Sequence, residues 1–285
     1  MQTHTHAIHL DPDFRAYPDL PPIPLESFTF AGGEPHVKLG AVEAGAGVLV
    51  TQRARSWQDL GLVAVAVDAL RRAGAAEVSL LLPYLPGARQ DRVMVPGEAL
   101  TVKVYCDFLN SLSLKRVTVF DPHSAVGPAL LDGVDVIDNV AFAKTVLADL
   151  PADTLLVSPD AGAQKKVYHV AQQLGGRTVI DAGKHRDVRT GELTGFAVYV
   201  YDKQLRGEPC LILDDICDGG GTFLGLAKAL KQEGAGDLYL AVSHGIFSKG
   251  LAQLTRVFTK VYCTDAFGTP APHGGLHVVP LAGLL

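Results

Sequence analysis

The stretch Leu211–Thr222, LILDDICDGGGT, decides how this chain is read. An apolar run ends in two adjacent aspartates, Asp214 and Asp215. Asp218 and the glycines Gly219, Gly220 and Gly221 lead to Thr222, and the amphipathic segment TFLGLAKAL follows. That order reads as a strand, a tight loop and a helix N-terminus. Glycines let the backbone approach an anion closely, and the first free N–H groups of a helix point at it. Carboxylates repel a phosphate, so the acidic pair suits sugar hydroxyls or a cation instead. The loop is therefore built for a phosphate beside a polyol, as in a ribose phosphate. No Gly-Lys-Ser/Thr follows, which excludes a Walker A loop. A dinucleotide fingerprint would place its acid downstream of the glycines, whereas here the acids come first. The competing account is a glycine-rich turn with solvated aspartates; the fixed order of acids, glycines and helix start disfavours it.

The 285 residues allow about two domains. Hydrophobic residues make up 48% of the chain, enough for sizeable cores and too many for a disordered protein. A formal net charge of −5 argues against general nucleic-acid binding and leaves room for a local basic anion site. Cys106, Cys210, Cys217 and Cys263 lack CxxC spacing and read as reduced, mostly buried thiols of a cytosolic protein. No apolar run is long enough to cross a membrane, and no basic-then-apolar leader opens the chain. His4, His6 and His9 alternate near the start; a flexible polar leader is expected there rather than a metal site.

Apolar runs alternate with amphipathic stretches throughout, which predicts an α/β fold. Strands are expected at AEVSLLL, RVTVF, TLLVS, RTVI, GFAVYV, CLILD, DLYLAVS and KVYCT. Helices are expected at SWQDLGLVAVAVDALRRAG, GEALTVKVYCDFLNSL, AFAKTVLADL, AQKKVYHVAQQLG and TFLGLAKALKQEG. The order strand, loop, helix, strand, histidine occurs twice, ending at His123 and at His244. Two similar domains meeting near Asn139 are the expectation, with every motif at the carboxyl end of a strand and one shared cleft.

Other polar segments are weaker taken singly. Arg89, Gln90, Asp91 and Arg92 follow a strand, and two arginines with an amide can grip phosphates or a base edge. His123 ends a strand beside Asp121. In SPDAGAQKK, Asp160 is a reasonable metal or ribose ligand and Lys165 could reach a phosphate. Lys184 and Arg186 alternate in DAGKHRDVRTGE, which reads as a mobile loop between two strands; composition alone favours an ordinary charged hairpin.

The glycine loop resembles the loop that binds phosphoribosyl diphosphate (PRPP) in type I phosphoribosyltransferases and in PRPP synthetases. PYLPGARQDR (83–92) resembles a segment that contacts ATP in PRPP synthetases and is missing from the transferases. VFDPHS (119–124) resembles their DLH motif, with Pro122 in place of leucine, and SPDAGA (158–163) their SPDAGG, with Ala163 in place of the second glycine. The Lys184-x-Arg186 pair, the FTFAGGE segment around Phe30 and Glu34, and AVSHGIFSKG (241–250) complete the order from about Phe28 to Phe267.

This resemblance implies two type I phosphoribosyltransferase-like domains, each a mainly parallel sheet flanked by helices, at 1–139 (ATP side) and 140–285 (ribose 5-phosphate side). It implies transfer of the β,γ-diphosphoryl group of ATP to ribose 5-phosphate, giving PRPP and AMP. Lys184 and Arg186 would be catalytic. Phe30, Glu34, Arg89, Gln90, Asp91 and His123 would bind ATP. Asp160, Asp214, Asp215, Asp218, Gly219, Gly220, Gly221 and Thr222 would bind ribose 5-phosphate. Magnesium would be the cofactor, with His123 and Asp160 as ligands. A cytoplasmic homo-oligomer, dimer or hexamer, is implied, with neither nucleic-acid nor membrane partners; Phe30 and Glu34 would reach from a neighbouring subunit. Gly32 stands where the family has aspartate, which puts selectivity for the base in question. The alternatives are a PRPP-consuming transferase, which leaves ARQDR and DPH without a role, and a non-catalytic regulatory partner, which should have lost these motif residues.

Overall fold

The computed structural model describes residues 4–186, 193–199 and 205–285, and only the backbone of residues 184–186, 193 and 194. The chain divides into two compact units. One runs through Asp138 and takes in Leu281–Gly283; the other spans Asn139–Pro280.

The first unit holds β1 (His6–His9), β2 (Leu25–Thr29), β3 (Pro35–Leu39), β4 (Gly47–Thr51), α1 (Trp57–Arg72), β5 (Glu77–Leu81), α2 (Thr101–Ser111), β6 (Val117–Phe120), α3 (Val126–Leu130) and β7 (Val134–Ile137). Its main sheet is parallel throughout, in the order β1-β4-β5-β6-β7, while β2 and β3 form a separate hairpin. Helix α1 shows how local signals set an element. Ser56 and Asp59 form a capping box, with the Ser56 hydroxyl accepting from the Asp59 N–H and the Asp59 carboxylate from the Ser56 N–H. Leu60, Val63, Ala66, Val67 and Leu70 then fall on one face and enter the core.

The second unit holds α4 (Val140–Ala148), β8 (Leu155–Ser158), α5 (Ala161–Gln173), β9 (Val179–Arg186), β10 (Leu193–Tyr199), β11 (Cys210–Cys217), α6 (Gly221–Gln232), β12 (Leu238–Gly245), α7 (Leu254–Val257), β13 (Lys260–Thr264) and β14 (Leu276–Val279). Its seven-stranded sheet runs β10-β9-β8-β11-β12-β13-β14, antiparallel at β10/β9 and parallel elsewhere. The central strands are near-continuous apolar runs because a parallel sheet is covered on both faces.

The internal repeat is topological. The path β4-α1-β5-α2-β6-α3-β7 matches β8-α5-β11-α6-β12-α7-β13, with the β9–β10 hairpin inserted after α5. The two histidines of the repeat differ, however: His123 is exposed beyond β6, whereas His244 lies within β12 and is 1% exposed.

Four expectations need correction. The N-terminal histidines are no flexible leader: His6 and His9 lie in β1, paired along β4, and a 2.8 Å hydrogen bond joins His9 Nδ1 to the Thr51 hydroxyl. Burial lowers the pKa of both His4 and His9. The strand expected to end at Asp214 continues to Cys217, held by its ladder to β12. Lys184 and Arg186 lie on a strand, opposite Phe196 and Leu193, rather than in a loop. Helix α2 starts at Thr101, because Pro96 and Gly97, the latter at φ 94°, set a turn first.

Candidate functional site

In the second unit the glycine loop reduces to Asp218–Gly220 between β11 and α6. Gly220 is the N-cap of α6 at φ 76°, a left-handed conformation suited to glycine, and no side chain caps the helix. The N–H groups of the first turn, Gly221 and Thr222 included, thus face outward without a capping oxygen, the arrangement that receives a phosphate. Asp214 and Asp215 stand just before, on the last half of β11. Asp214 keeps partial access to solvent, yet its carboxyl is raised well above the ordinary range, by desolvation first and then by the charges of Asp215 and Asp160. Such a carboxylate cluster favours a cation or hydroxyl donors. Lys166 answers it in part, its Nζ 3.8 Å from Asp215 Oδ2.

Asp160 is the N-cap of α5: its Oδ1 accepts from the N–H groups of Gly162 (2.9 Å) and Ala163 (3.1 Å). Lys165 is exposed on the same helix. The side chains of Lys184 and Arg186 lie outside the described residues; their backbone forms the end of β9. The hairpin they belong to is packed onto the unit. Phe196 and Val198 join the core beside Phe223 and Leu226, and a methyl on Gly225 of α6 would overlap the Phe196 ring.

In the first unit Arg89, Gln90, Asp91 and His123 line one cavity of about 430 Å³, together with Arg92, Met94, Glu98, Ala99 and Thr101. Asp91 is buried and accepts from Arg92 Nε at 3.0 Å. Burial pushes its carboxyl up, but hydrogen bonds from Arg92 and Ser124 and the charges of Arg92 and His123 outweigh that and hold it below the usual range. Asp121, two residues before His123, adopts φ 38°, uncommon for a non-glycine residue. Phe30 and Glu34 do not line this cavity. They close the β2–β3 hairpin, Phe30 N–H donating to the Glu34 carbonyl at 2.9 Å, and Phe30 is 54% exposed against Phe28 and His36. Gly32 leaves the space that the Glu34 carboxylate occupies.

Among the described residues no cluster of three or more His, Cys, Asp or Glu converges as a metal cage. Magnesium, which keeps much of its water and binds through one or two carboxylates plus substrate phosphates, is compatible with the hard oxygen donors at Asp160, Asp214 and Asp215. The four cysteines are unbridged and buried, and burial raises Cys106 to about 11 and Cys210, Cys217 and Cys263 to about 12, so none is a nucleophile at neutral pH.

Residues 9–112 match the N-terminal domain of ribose phosphate pyrophosphokinase, and residues 140–268 match the phosphoribosyl transferase domain. A ribose-phosphate pyrophosphokinase of Vibrio vulnificus is 30% identical over 269 residues, spanning 90% of this chain and 83% of the relative. The chain belongs to the ribose-phosphate pyrophosphokinase family. A relative of the same name from Shewanella oneidensis is 33% identical over 245 residues, 83% of this chain and 76% of its own. The crystal structure of phosphoribosylpyrophosphate synthetase from Mycobacterium smegmatis superposes with a TM-score of 0.84 at 25% identity, over 99% of this chain and 96% of that one. As a ribose-phosphate pyrophosphokinase the chain is a diphosphotransferase. Sequence reasoning missed two of the lysines around its glycine loop. It did not single out Lys166, which approaches Asp215, or Lys249, whose stem lies against Gly219.

Proposed function

We propose that the first unit seats ATP through Arg89, Gln90, Asp91 and His123, and that the second seats ribose 5-phosphate through Asp160, Asp214, Asp215 and the loop Asp218–Thr222. The observation that supports this most is the cavity in which Arg89, Gln90 and Asp91 come together with His123, some thirty residues further along the chain. The anomeric oxygen of ribose 5-phosphate attacks the β-phosphorus of ATP. The bond from that phosphorus to the α,β-bridging oxygen breaks, AMP leaves with the oxygen, and the hydroxyl gives up its proton. Positioning and charge neutralisation supply most of the rate in phosphoryl transfer. Lys184 and Arg186 neutralise charge on the moving diphosphate. Asp214 and Asp215 fix the ribose hydroxyls, and the N–H groups of α6 take the 5-phosphate. Where magnesium binds it would neutralise phosphate charge; His123 is the candidate donor within the first unit, and Asp160, beside Asp214 and Asp215, within the second.

We place the enzyme in the cytoplasm, in keeping with its unbridged cysteines. Among the described residues no helix is long and apolar enough to cross a membrane. A homo-oligomer, dimer or hexamer, would use the exposed Phe30 and Glu34 hairpin to complete a neighbour's nucleotide site. Phosphorus NMR of the protein with ATP, magnesium and ribose 5-phosphate tests the reaction. Matched appearance of AMP and PRPP is the expected outcome. Absence of turnover with PRPP still bound would instead indicate a phosphoribosyltransferase or a regulatory subunit.

A further inference from the structure

We propose that Lys249 supplies the positive charge that holds the 5-phosphate of ribose 5-phosphate at the glycine loop. This rests on the reading above that Asp218–Thr222 receives that phosphate. The loop has an electrostatic deficit: residues 211–222 include Asp214, Asp215 and Asp218 and neither lysine nor arginine. The N-terminus of α6 offers about half an elementary charge, against a phosphate near −2 at neutral pH. Lys166 is drawn to Asp215.

The chain after β12 folds back onto this loop. The N–H groups of Ile246 and Phe247 donate to the Cys217 carbonyl at 2.9 and 3.1 Å. Ser248 grips Asp218 twice, its hydroxyl on Oδ1 at 2.5 Å and its N–H on the carbonyl at 3.1 Å. Gly250 N–H closes the turn on the Phe247 carbonyl at 2.8 Å. Lys249 is held at the crest of that turn, and its stem runs along Gly219. A methyl placed on Gly219 would sit 3.4 Å from Cδ, 3.5 Å from Cε and 3.6 Å from Cγ of the lysine. The ammonium lies one bond beyond Cε, so its charge stands beside the loop. Among the described residues no carboxylate pairs with it. The lysine stem thus lies at ordinary van der Waals distance from the Gly219 position.

Lys249→Met keeps the stem and removes the charge at an exposed position, so folding is preserved. Steady-state kinetics and calorimetric titration with ribose 5-phosphate are measured on the full chain with ATP and magnesium. The expected result is a rise of about tenfold in KM and Kd for ribose 5-phosphate, the worth of one partly screened charge-assisted contact, with kcat and the KM for ATP within about twofold. Lys249→Arg should restore most of the affinity. Unchanged ribose 5-phosphate affinity in Lys249→Met, or an equal loss for ATP, would overturn the assignment. Gly221→Pro, which removes one of the N–H groups that take the phosphate at a helix position that accepts proline, separates the two readings. If it weakens ribose 5-phosphate binding while Lys249→Met does not, Lys249 is a solvated surface lysine and the loop reading stands. If neither variant matters, the loop reading fails with it.

Discussion

Like charges packed side by side mark this site at the level of single residues. Asp214 and Asp215 were legible in the sequence because two acids before a run of glycines have few structural uses. Lys166 was not legible, since neighbours on a helix are turned by about 100° and only the packing of α5 on the sheet decides which lysine faces Asp215. Lys249 was hidden for a different reason: it is some thirty residues from Gly219 in sequence and meets it through a fold-back after β12. Lys184 was read from its spacing to Arg186 in a family pattern, and its role rests on a test. Lys184→Ala should lower kcat by about 10²–10³-fold with KM nearly unchanged, as removal of a contact made mainly in the transition state does. A variant with the parent's kcat would remove Lys184 from the chemistry.

Elements built from apolar runs, such as β5, β6, β8, β12 and β13, could be read directly, since burial on both faces of a parallel sheet leaves a continuous hydrophobic signature. Those carried by polar residues could not. Aspartate is a poor strand former, yet β11 extends past Asp214 and Asp215 because Ile216 and Cys217 pair with His244 and Gly245. In the same way β10 draws Lys184 and Arg186 into β9. That hairpin depends on a glycine. Gly225→Ala would drive a methyl into the Phe196 ring, and overpacking of this kind costs about 1–3 kcal/mol. The melting temperature should fall, and adding Phe196→Leu should recover part of the loss. If Gly225→Ala proves as stable as the parent, the aromatic contact is not holding the hairpin down.

For the molecule as a whole, the N-terminal segment is structural to a degree its composition concealed. Asp11 pairs with Arg53 at 2.7 Å, their side chains 9% and 3% exposed, and the guanidinium lies 5.1 Å from the centre of the Phe14 ring. Burial pushes the Asp11 carboxyl up, but the hydrogen bond and charge of Arg53, the Asp13 N–H and Arg55 outweigh it and leave it lowered. A lowered carboxylate contributes stability above its ordinary value, and that contribution disappears as pH falls through the folded-state value, below about 3.9. Asp11→Asn should therefore destabilise the protein by about 3–5 kcal/mol at pH 7, with the gap from the parent narrowing near pH 3; denaturant midpoints at both pH values check this. An equal gap at both would mean that lost packing, not charge, is responsible. The two-unit organisation carries a further consequence, in time rather than in space. Domains usually finish folding in the order in which they are synthesised. Here Leu281–Gly283 belong to the first unit, and Leu281 is fully buried. The unit that begins the chain therefore stays incomplete until after the strands of the second unit have been made.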